Sequence, residues 1–170
     1  KAAEVAVGAG FYKGRFVDDS YYLNQEELDL AQFCSRIRQL RNYLITEFVT
    51  SHPAFDRFSA ETANSIRYIV GRVDGKMEFL FTGIRFGTKA SGSVDNYGAG
   101  GIWCRMDANG CFERGEMMDP KDGKNIIIQR HPDTGAELKG VVPHWDRVLQ
   151  AVDDFCNYFP QLIYLGFDFV

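Results

Sequence analysis

No run in this chain of 170 residues is apolar for long enough to span a bilayer. The opening Lys1-Ala2-Ala3-Glu4 has no apolar core behind its lysine, so it does not read as a signal peptide. Net charge is scarce too, at −4. That gives no electrostatic case for a nucleic-acid or membrane partner. The four cysteines, Cys34, Cys104, Cys111 and Cys156, contain no CxxC spacing. A zinc site or a redox pair is therefore not expected. They read as reduced, mostly buried thiols of a cytoplasmic protein. The histidines form no metal-ligating cluster, and no serine or cysteine sits in a nucleophile motif beside them. His52 and His131, each followed by proline, read as structural or solvated, and His144 as a helix-start residue. Neither a Walker A sequence nor a Rossmann fingerprint is present. There is no internal repeat and no low-complexity segment.

What is there is a mixture of hairpin and helix signals. Residues 5–16 are rich in small residues, and Gly8, Gly10 and Gly14 suggest a loop between short strands. Asn24 followed by Gln25-Glu26-Glu27 resembles a capping box, and the apolar spacing behind it predicts a helix over 25–41. Residues 43–49 read as a strand. Residues 66–73 and 77–86 read as a hairpin closed at Asp74-Gly75, and 102–106 with 111–114 as a second one around Asn109-Gly110. A polar loop is expected over 115–125, a short buried strand over 126–128, and a turn over 131–135. An amphipathic helix follows from Trp145 until Pro160 stops it, and a last strand runs to Val170. Without a regular βαβ repeat, the order predicts an α+β fold of mostly antiparallel sheets with flanking helices.

Four places could carry chemistry. Gly8, Gly10, Lys13 and Gly14 could bring backbone N–H groups and a point charge to a phosphate, or they form an ordinary hairpin tip. Arg67 and Arg85 fall on adjacent strands of one hairpin. On a common face they would suit a phosphate or carboxylate, while surface salt bridges are the commoner fate of arginine. The loop Ser93-Val94-Asp95-Asn96-Tyr97-Gly98-Ala99-Gly100-Gly101 fits a functional loop and an ordinary turn equally. Asp168 stands among Leu165, Phe167 and Phe169. It needs a metal ion or an arginine as partner, unless it points to solvent.

Taken in order, these segments resemble the sugar-transfer-associated ATP-grasp family. The matching residues are Asn64 to Arg67, Arg85 to Gly87, Val94 to Asn96 with Gly100-Gly101, His131 to Gly135, Val142 to Trp145, and Gly166 to Asp168. The match spans about 44–170, and residues 1–43 follow more loosely. Ser65 stands where the family usually has threonine, and Phe167 where it has tryptophan. The resemblance implies an ATP-grasp fold with a small lobe at 1–49 and a larger lobe from 50 to 170. It implies ATP and Mg²⁺ as cofactors. Lys1, Gly8, Gly10, Lys13, Gly14 and Asn96 would contact nucleotide. Glu47, Phe48 and Val49 would form the adenine hinge. Arg67 and Arg85 would face the phosphates or an acyl-phosphate, and Asp168 would be a magnesium ligand.

The expected activity is an ATP- and Mg²⁺-dependent carboxylate–amine (or thiol) ligase acting through an acyl-phosphate in surface polysaccharide or sugar-conjugate biosynthesis. Its partners would be a small-molecule carboxylate and an amine or sugar-linked acceptor. Members of the family have a further acid and an asparagine beyond the Asp168 strand and a domain before the lysine, so a catalytically incomplete piece is expected. The alternatives are a nucleotide-binding module without turnover that regulates or scaffolds a sugar transferase, and an α+β interaction domain without a ligand.

Overall fold

The computed structural model describes residues 11–59 and 61–170. The chain divides into two units, Lys1–Val49 and Thr50–Val170.

In the first unit, strands β1 (Gly14–Val17), β2 (Ser20–Leu23) and β3 (Glu26–Leu28) form a small antiparallel sheet. The link between β1 and β2 is a two-residue turn, with Asp18 at φ 49° and Asp19 at φ 60°. Two central residues of positive φ match the twist of the flanking strands. Helix α1 spans Leu30–Gln39. The expected helix over 25–41 is thus shorter and starts later. Asn24 takes a left-handed turn at φ 58° and its Oδ1 accepts from the Lys13 N–H (2.9 Å), so it closes a turn instead of capping a helix. The working capping box is Asp29 with Gln32. The Gln32 N–H donates to Asp29 Oδ1 (2.7 Å) and the Asp29 N–H to Gln32 Oε1 (3.0 Å). Leu23 and Leu28 are buried, but no residue of α1 is.

The strand expected over 43–49 is not observed. Tyr43 makes a single bridge position, and 44–50 has no regular structure. Ile45 and Val49 are exposed, so their β-branched side chains gain none of the pleated-surface packing that favours a strand.

The second unit is built on a six-stranded antiparallel sheet. Its strands are β4 (Ile66–Val73), β5 (Lys76–Phe86), β6 (Ile102–Met106), β8 (Gly115–Met118), β9 (Asn125–Ile128) and β11 (Tyr164–Phe169). Two short strands, β7 (Cys111–Phe112) and β10 (Gly140–Val141), pair with each other outside it. The order across the main sheet is β11-β4-β5-β6-β8-β9. The β4–β5 hairpin turns at Asp74 (φ 47°) and Gly75 (φ 81°), as the Asp-Gly pair predicts. A bulge at Ile69/Val70 interrupts its register.

Helix α2 (Trp145–Tyr158) covers one face of this sheet. Trp145 lies 5.7 Å from Tyr68, Phe155 meets Phe167 edge-on at 5.3 Å, and the Trp145 Nε1–H donates to the Ala108 carbonyl (2.8 Å). Alternation sends Ile66, Tyr68, Ile84, Phe86, Ile102, Cys104 and Met117 into this core. Phe58 and Leu138 close it from the loops, and Phe112 from β7.

Three local expectations are corrected. The Asn109-Gly110 turn forms, but β7 ladders with β10 and not with β6. Residues 115–118 are a sheet strand and not a loop, because Gly115 and Met117 face the core while Glu116 between them is exposed. A Cβ on Gly115 would come within 2.6 Å of Ile102. The strand over 126–128 lies at the sheet edge, where Ile127 is exposed.

Candidate functional site

The face of the main sheet opposite α2 collects the charges. Residues paired across strands share a face, so Arg67, opposite Asp168 on β11, points away from the core that holds Ile66 and Tyr68. Arg85 on β5 lies opposite Trp103 on β6 and joins the same face. The three side chains meet. Arg67 grips Asp168 with two parallel hydrogen bonds, Nε to Oδ1 at 2.6 Å and Nη2 to Oδ2 at 2.9 Å. Arg85 Nη2 donates to the same Oδ1 at 3.2 Å. Two guanidinium groups thus converge on one carboxylate oxygen. Bidentate Arg–carboxylate pairs are strong and directional. This one stays half-open to water, with Arg67 38% and Asp168 49% exposed, so it adds little to stability.

Behind Arg85 lies a second set of contacts. Ser65, just before β4, is buried. Its Oγ accepts from Arg85 Nε (3.0 Å) and Nη2 (2.6 Å), and its hydroxyl donates to Asp95 Oδ2. The Ser65 N–H donates to the same oxygen at 2.8 Å. Arg85 Nε lies 3.6 Å from Asp95 Oδ2. Burial raises the Asp95 carboxyl above its ordinary value; the Ser65 hydroxyl and the Arg85 charge pull it back only in part.

The loop that carries Asp95 is fixed by close backbone approach. A Cβ on Gly101 would lie 2.4 Å from the Asp95 carbonyl oxygen. Asn96 Oδ1 accepts from the Gly98 N–H (2.9 Å) and so caps a short 3-10 turn. Asn64 spans the neighbouring segment, donating to the Ser59 carbonyl and accepting from the Gly87 N–H. His131 is buried, with Nε2 2.9 Å from the Gly87 carbonyl, and is structural. His144 takes the N-cap position of α2 without a side-chain cap bond.

In the first unit, the Lys13 ammonium sits 4.1 Å above the centre of the Phe48 ring. Gly14 opens β1, and Glu47 and Val49 are exposed. Lys1, Gly8 and Gly10 lie outside the described residues.

Arg67, Arg85 and Asp168 are thus brought together, although 101 positions separate Arg67 from Asp168. Asp95 and Ser65 belong to the same cluster. The sequence placed both inside candidate segments, Ser65 in Asn64 to Arg67 and Asp95 in the 93–101 loop, but gave neither a site role of its own. A separate cleft of about 260 Å³ opens on the α2 side of the sheet, where Ile66 and Phe169 join Phe55, Val142 and His144.

The donor chemistry of Asp168 suits one ligand of a hard cation such as magnesium. Among the described residues no group of three His, Cys, Asp or Glu side chains could hold a metal ion. The remaining ligands of a bound ion would be phosphate oxygens and water. No helix of the described residues is long and apolar enough to cross a membrane.

A family model described as sugar-transfer associated ATP-grasp matches residues 14–170. No curated protein and no solved structure matches the chain significantly.

Proposed function

The chain belongs to the sugar-transfer associated ATP-grasp family, and we propose that it supplies the phosphate-side surface of an ATP- and Mg²⁺-dependent carboxylate–amine or carboxylate–thiol ligase. One observation carries this reading: Arg67 and Arg85 converge on a single oxygen of Asp168 on the face of the sheet opposite α2. That oxygen marks a place where an anionic oxygen meets two guanidinium donors.

In the proposed reaction the terminal phosphoryl group of ATP passes to an oxygen of the substrate carboxylate, giving ADP and an acyl-phosphate. An amine or thiol then attacks the carbonyl carbon; the new C–N or C–S bond forms as the acyl C–O bond to phosphate breaks, inorganic phosphate leaves, and the nucleophile's proton passes to water. Arg67 and Arg85 hold the charge that develops on the transferred phosphoryl group and orient it. Asp168 would hold the magnesium ion, and with that carboxylate turned from the Arg67 fork both guanidinium groups would be free for the anion. Bound magnesium would supply charge neutralisation between the phosphates. Lys13, Gly14 and Glu47 to Val49 are assigned to the nucleotide, as are Lys1, Gly8, Gly10 and Asn96. The family description favours an acceptor in surface polysaccharide or sugar-conjugate biosynthesis.

A second reading, nucleotide binding without turnover, is favoured by one observation. Asp168 is already neutralised by two arginines.

Calorimetric titration of ATP, with and without Mg²⁺, tests the proposal. Arg67→Ala and Arg85→Ala should each weaken binding at least about tenfold, since hydrogen bonds to charged groups are lost. Asp168→Asn should bind ATP without Mg²⁺ as well as the native chain and lose the gain from Mg²⁺. Absence of ATP binding at millimolar concentration would sink both readings.

A further inference from the structure

Arg67 and Arg85 are not equivalent. Among the described residues the Arg67 guanidinium bonds to Asp168 alone, and Arg67 is 38% exposed. Arg85 is 19% exposed and is held from behind by Ser65 Oγ through both Nε and Nη2, while the same Nη2 reaches Asp168. A lone serine hydroxyl is a weak anchor for a cation, because it is neutral and its proton can rotate. Here the proton is committed. The Ser65 hydroxyl donates to Asp95 Oδ2, which turns its lone pairs toward Arg85. The Asp95 oxygen is held in turn by the Ser65 N–H, and the Gly101 contact fixes its backbone.

We infer that Asp95 and Ser65 are positioning residues that aim Arg85 at the anion site, with Asp95 acting through the Ser65 hydroxyl. This rests on the proposal that Arg85 binds an anionic oxygen of the substrate or nucleotide. Asp95 touches neither. Its carboxylate fixes the hydroxyl proton and supplies the counter-charge 3.6 Å from Nε. Support comes from the cost of keeping that charge. Burial raises the Asp95 carboxyl, so its ionised form is not favoured by the fold itself. Its charge is therefore held there by the Ser65 hydroxyl, the Ser65 N–H and Arg85. Threonine at position 65 would keep the hydroxyl.

The test is a double-mutant cycle on the full chain, with Mg²⁺–ATP as the probe and calorimetric affinity as the readout. Asp95→Asn and Ser65→Ala should each weaken binding about fivefold to tenfold, less than loss of Arg85 itself because each acts only through it. Ser65→Thr should restore native affinity. In an Arg85→Ala background neither substitution should have any further effect, because both act through Arg85. Thermal midpoints of all variants identify any that fail to fold, and Ser65→Thr against Ser65→Ala then carries the comparison. If Arg85→Ala weakens binding while Asp95→Asn and Ser65→Ala do not, the positioning role is overturned and the anion site stands. An equal loss from Asp95→Asn with and without Arg85 overturns it as well, because the effect is then general. If Arg85→Ala itself leaves affinity unchanged, the anion-site proposal has failed, and the positioning role falls with it.

Discussion

The two helices are both amphipathic, yet they are held by different physics. In the second unit α2 buries Trp145, Val152 and Cys156 against a six-stranded sheet. In the first unit α1 buries none of its residues and leans on the Asp29–Gln32 capping box and a half-exposed Arg36–Glu26 pair. A helix of the first kind takes its stability from tertiary packing. One of the second kind depends on local contacts, each of modest size. Stability in this chain should therefore be concentrated in Thr50–Val170.

The strongest way to break that contrast is Trp145→Ala. It removes the indole from Tyr68 and deletes the bond to the Ala108 carbonyl. A loss of about 3–5 kcal/mol is expected in chemical denaturation, the usual range for a large aromatic core truncation. Leu30→Ala, at a position 56% exposed on α1, should cost well below ~1 kcal/mol. Comparable losses from the two would dissolve the distinction.

Next in size is Gly83→Ala. A Cβ there would lie 2.2 Å from the Trp103 ring, which rests on the β5 backbone beside Arg67 and Arg85. The indole must move, at a cost of about 1–3 kcal/mol. Trp103 should then become more accessible to a fluorescence quencher. An unchanged quenching constant would mean the sheet absorbs the methyl group instead.

Asp29→Ala should remove about 0.5–2 kcal/mol of helix stability from α1. The expected signature is faster amide exchange across residues 30–39 with no change in β4 to β6. Exchange that quickens in both units would show them sharing one cooperative transition.

The smallest effect separates two thiols. Burial pushes the Cys104 thiol up to about 12, while Cys34 is only half-buried on α1. At pH 8 iodoacetamide should label Cys34 first and leave Cys104 intact in the native state. Because the folded value is raised, the stability that Cys104 contributes is present below the ordinary thiol pKa and is lost as pH climbs toward about 12. Early labelling of Cys104 would mean that this part of the sheet opens.

The same division governs what could be read in the sequence. The β4–β5 hairpin was legible because alternation and an Asp-Gly turn agree there. Helix α2 was legible because its apolar spacing meets a real core. In the first unit the expected cap was Asn24; its turn pairing with Lys13 takes it out of that role, and Asp29 caps α1 instead. Residues 44–49 carry strand-forming side chains that find no pleated surface, so propensity misled. The family resemblance named Arg67, Arg85 and Asp168, but their meeting depends on β11 lying beside β4, which no local spacing encodes. Asp95 was missed as a site residue for the same reason. It reaches Ser65 across 30 positions through a loop whose course is set by glycine contacts.

The grip of Ser65 on Arg85 has a consequence for when disorder is lost. An arginine free in water samples many rotamers, and freezing it during an encounter costs about 0.5–1.5 kcal/mol. Arg85 has already surrendered that freedom when the chain folds, through contacts that are present before any anion arrives. Arg67 is restrained only by Asp168 at its guanidinium, so releasing that carboxylate returns its motion. The two guanidinium groups thus divide the entropy of recognition unequally: one is stilled at folding, and the other is stilled anew by each partner.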